Sequence, residues 1–113
     1  MRVTLSFLIL LFSLMALPAT AQTLTRAQID EEMTGKTIVT RRFGMKIVMN
    51  YRANGTVSAK AFIGSVDGTW RYRGNQVCTT FPSGPAKGTD CVSFTKTGPN
   101  AFRSSKGVAF TVQ

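Results

Sequence analysis

The chain has 113 residues and carries 14 Lys and Arg against 5 Asp and Glu, which gives a net charge of +9. This length suffices for one small domain and not for two, and a charge of this sign favours anionic partners. The chain has no His and only two Cys, so it lacks the commonest general base of enzymes and the ligands for a zinc site. We therefore expect no enzyme activity, no cofactor and no metal site.

Residues 1–21 have the pattern of an export signal. Arg2 gives a positive start, an apolar run extends from Leu5 to Leu17, and Ala19-Thr20-Ala21 places small residues where a signal peptidase reads them. The apolar run is shorter than the about 20 residues that a membrane-spanning helix needs. We therefore predict cleavage between Ala21 and Gln22, a periplasmic or secreted mature protein, and no transmembrane segment in the mature chain.

A short helix is predicted at the start of the mature chain. Thr25 and Gln28 have the spacing of a capping box, in which the two side chains bond each other's backbone amides. We predict a helix over residues 26–33, inside an N-terminal segment of residues 22–35. A β-barrel-like domain is predicted over residues 36–113.

This second segment consists of short runs of β-forming residues separated by Gly, Asn and Pro. Residues 64–68 and 82–89 are predicted as loops. Asn54-Gly55 is predicted as a type I′ turn, whose two central residues both need a positive φ. The same residues with Thr56 fit an N-glycosylation pattern, which the turn explains without a sugar. The predicted strands cover residues 37–43, 45–51, 56–63, 69–73, 76–81, 90–96, 101–104 and 108–112.

Eight short strands joined by neighbour-to-neighbour turns indicate a mainly β fold. We expect an antiparallel meander that forms a small barrel or a strongly curved sheet. Because alternate side chains of a strand face opposite sides, one set of residues should form the core. That set includes Trp70, Tyr72, Val77, Thr79, Phe81, Val92, Phe94, Val108, Phe110 and Val112.

The two cysteines are predicted to form a disulfide. The same alternation places Cys78 and Cys91 together on the face opposite the core, on neighbouring strands of one hairpin. An isolated pair in an oxidising compartment is most often a structural link, with a redox-active pair as the alternative. Closing a loop of this size contributes roughly 3 kcal/mol in the chain-entropy model.

The sequence contains few residues that could form a catalytic site. Asp67 and Asp90 are the only carboxyl side chains in the predicted β region, and both fall in or beside turns. Ser93 and Lys96 match the Ser-x-x-Lys string of some acyl-transfer enzymes. That chemistry requires both side chains on one helical face, whereas positions 93 and 96 of a strand point to opposite faces.

The basic residues are unevenly distributed. Asp30, Glu31 and Glu32 lie together near the mature N-terminus. From residue 33 onward the chain has 12 basic residues and only 2 acidic ones. Guanidinium groups placed two residues apart on a strand can grip phosphate or carboxylate, while a merely solvated surface is the alternative. The candidate anion-binding pairs are Arg71 with Arg73, Arg52 with Lys60 across the predicted Asn-Gly hairpin, and Arg41 with Arg42.

Nucleic acid is disfavoured as a partner. Trp70 and Tyr72 are interleaved with Arg71 and Arg73, as on some nucleic-acid-binding surfaces. The aromatic residues, however, fall on the opposite face of the strand and are expected to fill the core. An anionic component of the cell envelope or an acidic protein is the expected partner.

Several short motifs carry a resemblance to a known family. They are Gly35-Lys36-Thr37, Tyr51, Asn54-Gly55-Thr56, Gly68-Thr69-Trp70, and Cys78 and Cys91 on successive strands. Together they resemble a family of small exported proteobacterial proteins that is classed as a domain of unknown function. The chain also looks broadly similar to small lipocalin-like inhibitor barrels, in which a Gly-x-Trp strand start is familiar. The resemblance implies a periplasmic or secreted location and a β-barrel-like fold, and it implies no activity.

The functional hypothesis is a non-enzymatic exported binding module with a basic surface that acts on an anionic envelope component. One alternative is an inhibitor of a secreted or periplasmic hydrolase that inserts loop 82–89 into an enzyme cleft. A protease is favoured over lysozyme as its target, because lysozyme is usually basic and would repel this chain. The other alternative is a carrier of a small lipophilic ligand, since a small barrel can enclose one.

Overall fold

The computed structural model describes residues 22–113, so the predicted export signal lies outside the described residues. A helix, α1 (Arg26–Glu32), precedes nine strands and begins at the predicted Thr25 capping box. The mainly β prediction is confirmed, with one strand more than expected. The strands are β1 (Thr37–Arg42), β2 (Met45–Tyr51), β3 (Thr56–Ala61), β4 (Gly64–Arg73), β5 (Gln76–Phe81), β6 (Gly88–Val92), β7 (Phe94–Gly98), β8 (Ala101–Ser104) and β9 (Ala109–Val112).

All neighbouring strands are antiparallel, in the order β6-β5-β4-β3-β2-β1-β9-β8-β7. The two edge strands, β6 and β7, are consecutive in the chain and separated only by Ser93. Ser105 donates its backbone N–H to the Ser93 carbonyl at 2.8 Å, and Lys106 forms an ion pair with Asp90 across the same seam. The predicted single strand 90–96 is therefore bent into two halves that nearly close the sheet into a barrel.

The N-terminal segment covers the outer edge of β7 and one end of the barrel. Thr23 forms a β-bridge with Thr95, and the Leu24 N–H donates to the Phe94 carbonyl at 2.8 Å. Ile29 of α1 is buried in the core. We call this end the helix end, and it also holds the β2–β3 and β4–β5 turns. The opposite end, which holds the β1–β2, β3–β4 and β5–β6 connections, is the hairpin end.

The loop predicted at residues 64–68 is wrong, because these residues form the first half of β4. Gly68 explains the error. A Cβ at this position would overlap the Thr80 carbonyl and lie 2.8 Å from Cδ1 of Phe81. A glycine within a strand often marks such a close approach of backbone or ring, whereas in the sequence it suggested a turn.

The type I′ prediction for Asn54-Gly55 is also wrong. Only Gly55 has a positive φ, of 89°, and it closes a turn in which its N–H donates to the Arg52 carbonyl at 3.0 Å. Among the described residues, the non-glycine residue with a positive φ is Phe43 (54°), followed by Gly44 at 73°. The two-residue turn with both φ values positive is therefore at the tip of the β1–β2 hairpin.

Aromatic side chains fill the barrel. Trp70 lies edge-on between Tyr51 and Tyr72, with ring centroids 5.7 Å and 5.0 Å away, and its indole N–H donates to the Arg52 carbonyl at 2.8 Å. The predicted core faces are confirmed, except that Val108 lies before β9 and is half-buried. The buried apolar residues are Leu24, Ile29, Met33, Ile38, Val57, Trp70, Val77, Phe81, Phe94, Phe102, Phe110 and Val112.

The predicted disulfide is confirmed. Cys78 of β5 and Cys91 of β6 are directly opposite each other, with 4.0 Å between their Cα atoms. Cys78 is only 1% exposed although it lies on the outer face. A sulfur this inaccessible suits a structural link better than an exchanging one. The bond is compatible with an oxidising compartment.

Two tyrosine hydroxyls make the stability of the barrel sensitive to alkaline pH. Burial raises the pKa of Tyr51, whose hydroxyl bonds Thr79 Oγ1 at 2.9 Å, and also that of Tyr72, whose hydroxyl donates to Asp30 at 3.0 Å. A phenol whose pKa is higher in the folded state stabilises that state fully below the ordinary value near 10. Its contribution is lost as the pH rises further.

We therefore expect the free energy of unfolding to fall above about pH 10, and to fall less in the variant carrying both Tyr51→Phe and Tyr72→Phe. Urea unfolding at pH 8 and at pH 10.5 measures both slopes. Parallel slopes would show that the two tyrosine hydroxyls do not cause the alkaline loss of stability.

Candidate functional site

The interior of the barrel offers little space. Among the described residues, the space between Ile29 and Met33 of the helix segment and Trp70 of the wall has a volume of about 10 Å³. This is the volume that a single water molecule needs. A functional site must therefore be sought on the outer surface.

Ser93 and Lys96, which match the Ser-x-x-Lys string, are not brought together. Lys96 donates to Glu32 of α1 at 2.6 Å, while Ser93 lies in the seam between β6 and β7 and bonds Ser105. Within residues 22–113, no group of three or more His, Cys, Asp or Glu is placed to hold a metal ion.

The hairpin end collects three of the six predicted anion-binding residues. Arg41 and Arg42 end β1, and Lys60 lies near the end of β3, which neighbours β2. Two lysines that we did not predict join them. Lys46 is the cross-strand partner of Arg41, and Lys87 lies in the exposed β5–β6 loop. We call Arg41, Arg42, Lys46, Lys60 and Lys87, all exposed, the hairpin-end cluster.

The sequence carried a signal for one of the two missed lysines. Arg42 and Met45 flank a two-residue connection, and this register puts position 41 opposite position 46. No such rule was available for Lys87, because a loop rich in Pro and Gly has no register.

Arg52 and Lys60 are not brought together. The residue opposite Lys60 on β2 is Val48, which leaves four residues, or about 13 Å of strand, between Lys60 and Arg52. The Arg52 guanidinium instead lies along the outer face of β3, where it donates to Thr56 Oγ1 and Ser58 Oγ, each at 3.2 Å. Arg52 is therefore engaged in holding the β2–β3 turn.

Arg71 and Arg73 share one face, as predicted. Both are exposed on the outer side of β4, opposite Cys78 and Gln76 of β5. Because β4 runs from the hairpin end to the helix end, this pair lies toward the helix end. We call these two residues the lateral pair, and they are separate from the hairpin-end cluster.

Three large apolar side chains protrude from the hairpin end. Phe43 at the β1–β2 tip is 79% exposed, and Phe62 and Ile63 at the β3–β4 tip are 85% and 63% exposed. Their exposure was not predicted, because the sequence pattern places all three at the ends of strands. Their signal was an apolar residue directly before a turn glycine, at Phe43-Gly44 and Ile63-Gly64.

The acidic residues lie mostly at the other end. Asp30, Glu31 and Glu32 belong to α1, which covers the helix end. Of the two acids on the barrel wall, Asp90 is paired with Lys106 and Asp67 lies opposite Ser58. The hairpin end of the described chain thus gathers five exposed basic residues, whereas the helix end mixes the acids of α1 with Arg26, Lys36 and Lys96.

An open groove of about 480 Å³ runs beside the helix, between Glu31, Lys36 and the C-terminal Gln113. Two of its charged groups have partners, since Lys36 Nζ donates to the backbone carbonyl of Glu31 at 2.7 Å and Glu32 is paired with Lys96. The groove is mixed in charge and presents no free cluster of one sign.

No family model, no curated protein and no solved structure matches this chain. Over residues 22–113, the one helix falls short of the length and apolar character that crossing a bilayer demands. The function is therefore argued from the surface itself.

Proposed function

We propose that the mature protein is a non-enzymatic, exported binding module whose basic surface acts on an anionic component of the cell envelope. The observation that carries this proposal is the concentration of five exposed basic residues at the hairpin end, whereas the helix end is mixed in charge. Once Arg2 is removed with the export signal, the chain has 13 basic and 5 acidic residues, so the net charge of the mature protein is +8.

The position of this cluster matters more than the net charge, because it orients the molecule. A negative surface attracts the hairpin end more strongly than the mixed helix end, so a large fraction of encounters begins with the hairpin-end cluster facing the surface. The guanidinium groups of Arg41 and Arg42 can also bind phosphate or carboxylate oxygens bidentately. A barrel whose charges served only solubility would not need to concentrate basic residues at one end.

The charge variant that tests this proposal combines Arg41→Gln, Arg42→Gln and Lys60→Gln. Each cation near an anionic membrane surface contributes about 1 kcal/mol, so the variant should bind roughly a hundredfold more weakly to vesicles that contain phosphatidylglycerol. Co-sedimentation at low salt measures the affinity. Raising the salt should weaken wild-type binding, because the screening length shortens.

The matched control is Arg71→Gln with Arg73→Gln, which removes the lateral pair. We expect a loss of less than about threefold, because this pair faces away from the surface in the proposed orientation. If the wild-type protein fails to bind anionic vesicles and lipopolysaccharide at low salt, the proposed function is wrong. If the control loses more affinity than the hairpin-end variant, the lateral pair is the binding site.

Hydrolase inhibition remains the alternative proposal, and loop 82–87 supports it. The loop is fully exposed, and the hairpin that carries it is held by the Cys78–Cys91 disulfide. Such rigidity favours binding because little ordering is needed. The lipophilic carrier has less support, since the interior space of about 10 Å³ admits no such ligand.

A further inference from the structure

We infer that the hairpin end docks directly on a bilayer that contains anionic phospholipid, with Phe43, Phe62 and Ile63 inserted at the level of the headgroups. This inference rests on the proposed function and names its target. Insertion of these side chains adds an apolar contribution to the free energy of binding, beside the electrostatic contribution of the basic residues. Experiments can separate the two contributions.

The two apolar tips lie side by side. Strand β2 pairs with β3, and Val48 is opposite Lys60. Continuing this register brings position 46 level with Phe62 and position 45 level with Ile63, directly beside the Phe43-Gly44 turn. Neighbouring strands are about 4.8 Å apart, so the two hairpins present their apolar side chains to the same plane.

The backbone at Phe43 favours a functional role for its ring. Phe43 has a φ of 54°, in the left-handed region that bulky residues avoid and that Asn and Gly tolerate. A turn selected only for stability would have Asn before Gly44. The turn instead carries an aromatic ring that is 79% exposed, so stability of the hairpin does not explain the residue.

The surroundings of the tips match a membrane interface. The hairpin-end cluster surrounds three apolar side chains, and the Arg42 guanidinium lies 5.4 Å from the centre of the Phe43 ring. In an anionic bilayer the rings reach the acyl boundary, while the long basic side chains extend to the phosphates. No acidic residue of the described chain lies at these tips, where a carboxylate would be repelled by the anionic bilayer.

A bilayer fits this surface better than a protein partner does. Two Phe rings bury roughly 150–250 Å² each, and three such side chains remain below the about 800 Å² per partner of a stable protein interface. The tips are exposed ends of two hairpins, whereas hot spots of protein interfaces are packed into pockets. Insertion into lipid needs no complementary pocket.

The test removes the apolar tips and keeps every charge, with Phe43→Asn, Phe62→Ser and Ile63→Ser in one chain. Protein recovered after export binds vesicles of phosphatidylcholine mixed with phosphatidylglycerol, and we expect at least roughly a 30-fold loss of affinity from the lost apolar burial. Phe43→Asn alone should raise the melting temperature, because Asn tolerates the left-handed backbone. Because all three side chains are exposed, we expect the triple variant to melt no lower than wild type, and measuring its melting temperature separates lost binding from misfolding.

Insertion is measured independently with Phe62→Trp, with Asn100→Trp at the helix end as its control. Brominated acyl chains should quench the fluorescence of the first added indole and leave that of the second unchanged. Both variants retain Trp70, whose buried signal is subtracted with the wild-type protein.

The outcomes separate the two proposals. If the tip variant binds anionic vesicles as tightly as wild type, insertion is wrong and electrostatic binding stands. If wild type binds neither these vesicles nor any anionic lipid at low salt, the proposed function is wrong as well. If sedimentation shows a wild-type dimer that the tip variant breaks, the tips are a self-association surface and the bilayer proposal is overturned.

Discussion

Replacing Gly68 with Ala should destabilise the barrel by about 3 kcal/mol or more, a large part of the roughly 5–15 kcal/mol that holds a small domain together. The added Cβ would overlap the Thr80 carbonyl and approach Phe81 Cδ1 to 2.8 Å. The ring can rotate away at some cost, but the carbonyl belongs to the strand next to β4 and cannot move alone. Thermal or urea unfolding followed by circular dichroism measures the loss.

Gly98→Ala is the matched control. Gly98 also lies in a strand, and its added Cβ would meet only Ala101 Cβ, at 3.4 Å. We expect a change of less than about 1 kcal/mol there, since ordinary strand positions tolerate Ala. Equal effects at the two glycines would show that lost backbone freedom, and not the close approach, makes position 68 sensitive.

The second large effect is expected from removing the disulfide. The double variant Cys78→Ala, Cys91→Ala should lose about 3 kcal/mol, because the bond closes a loop with a sequence separation of 13 residues in the unfolded chain. For a domain of this size the melting temperature should fall by more than about 10 °C. The domain formed by the described residues has little core to compensate, since a domain so small buries only about 60% of its unfolded surface.

Reduction of the wild-type protein provides the control. Under a strong reductant the wild type should unfold like the double variant, while the variant itself should not respond. A variant as stable as oxidised wild type would mean that the core alone stabilises the β5–β6 hairpin.

Side-chain alternation was the most reliable guide to the fold. It placed Cys78 and Cys91 together and separated the core aromatics from Arg71 and Arg73, because the period of two follows from strand geometry alone. The errors occurred at residues that are compatible with two different local structures. Gly68 suggested a turn from the sequence, but its function is to admit a neighbouring carbonyl, and no local pattern distinguishes the two.

The turn predictions show the same limit. The Asn54-Gly55 pair has the composition of a type I′ turn, but Asn54 uses its side chain to accept hydrogen bonds from Thr56, and only the glycine is left-handed. The Phe43-Gly44 turn violates the composition rule. The propensity of residues for this turn type reflects the stability of the turn. It does not predict Phe43, because under our proposal the side chain at this tip serves membrane binding.

Half of the candidate site could be predicted from the sequence. Arg41, Arg42 and Lys60 were identified as basic residues, yet their grouping with Lys46 and Lys87 depends on which strand ends share one end of the barrel. The apolar tips were missed because a pattern of hydrophobic residues predicts burial, and a hairpin tip is the place where that expectation reverses.

The pairing of the first strand with the last has a consequence for how the chain becomes folded. Ile38 lies opposite Val112, and Thr23 bridges to Thr95, so the contacts that close the barrel join residues that are 72 and 74 positions apart. Contacts of such long sequence separation form slowly. The sheet cannot close until β9 is available, so under the export that we propose the chain would stay open while it crosses a membrane, which is the state that translocation requires.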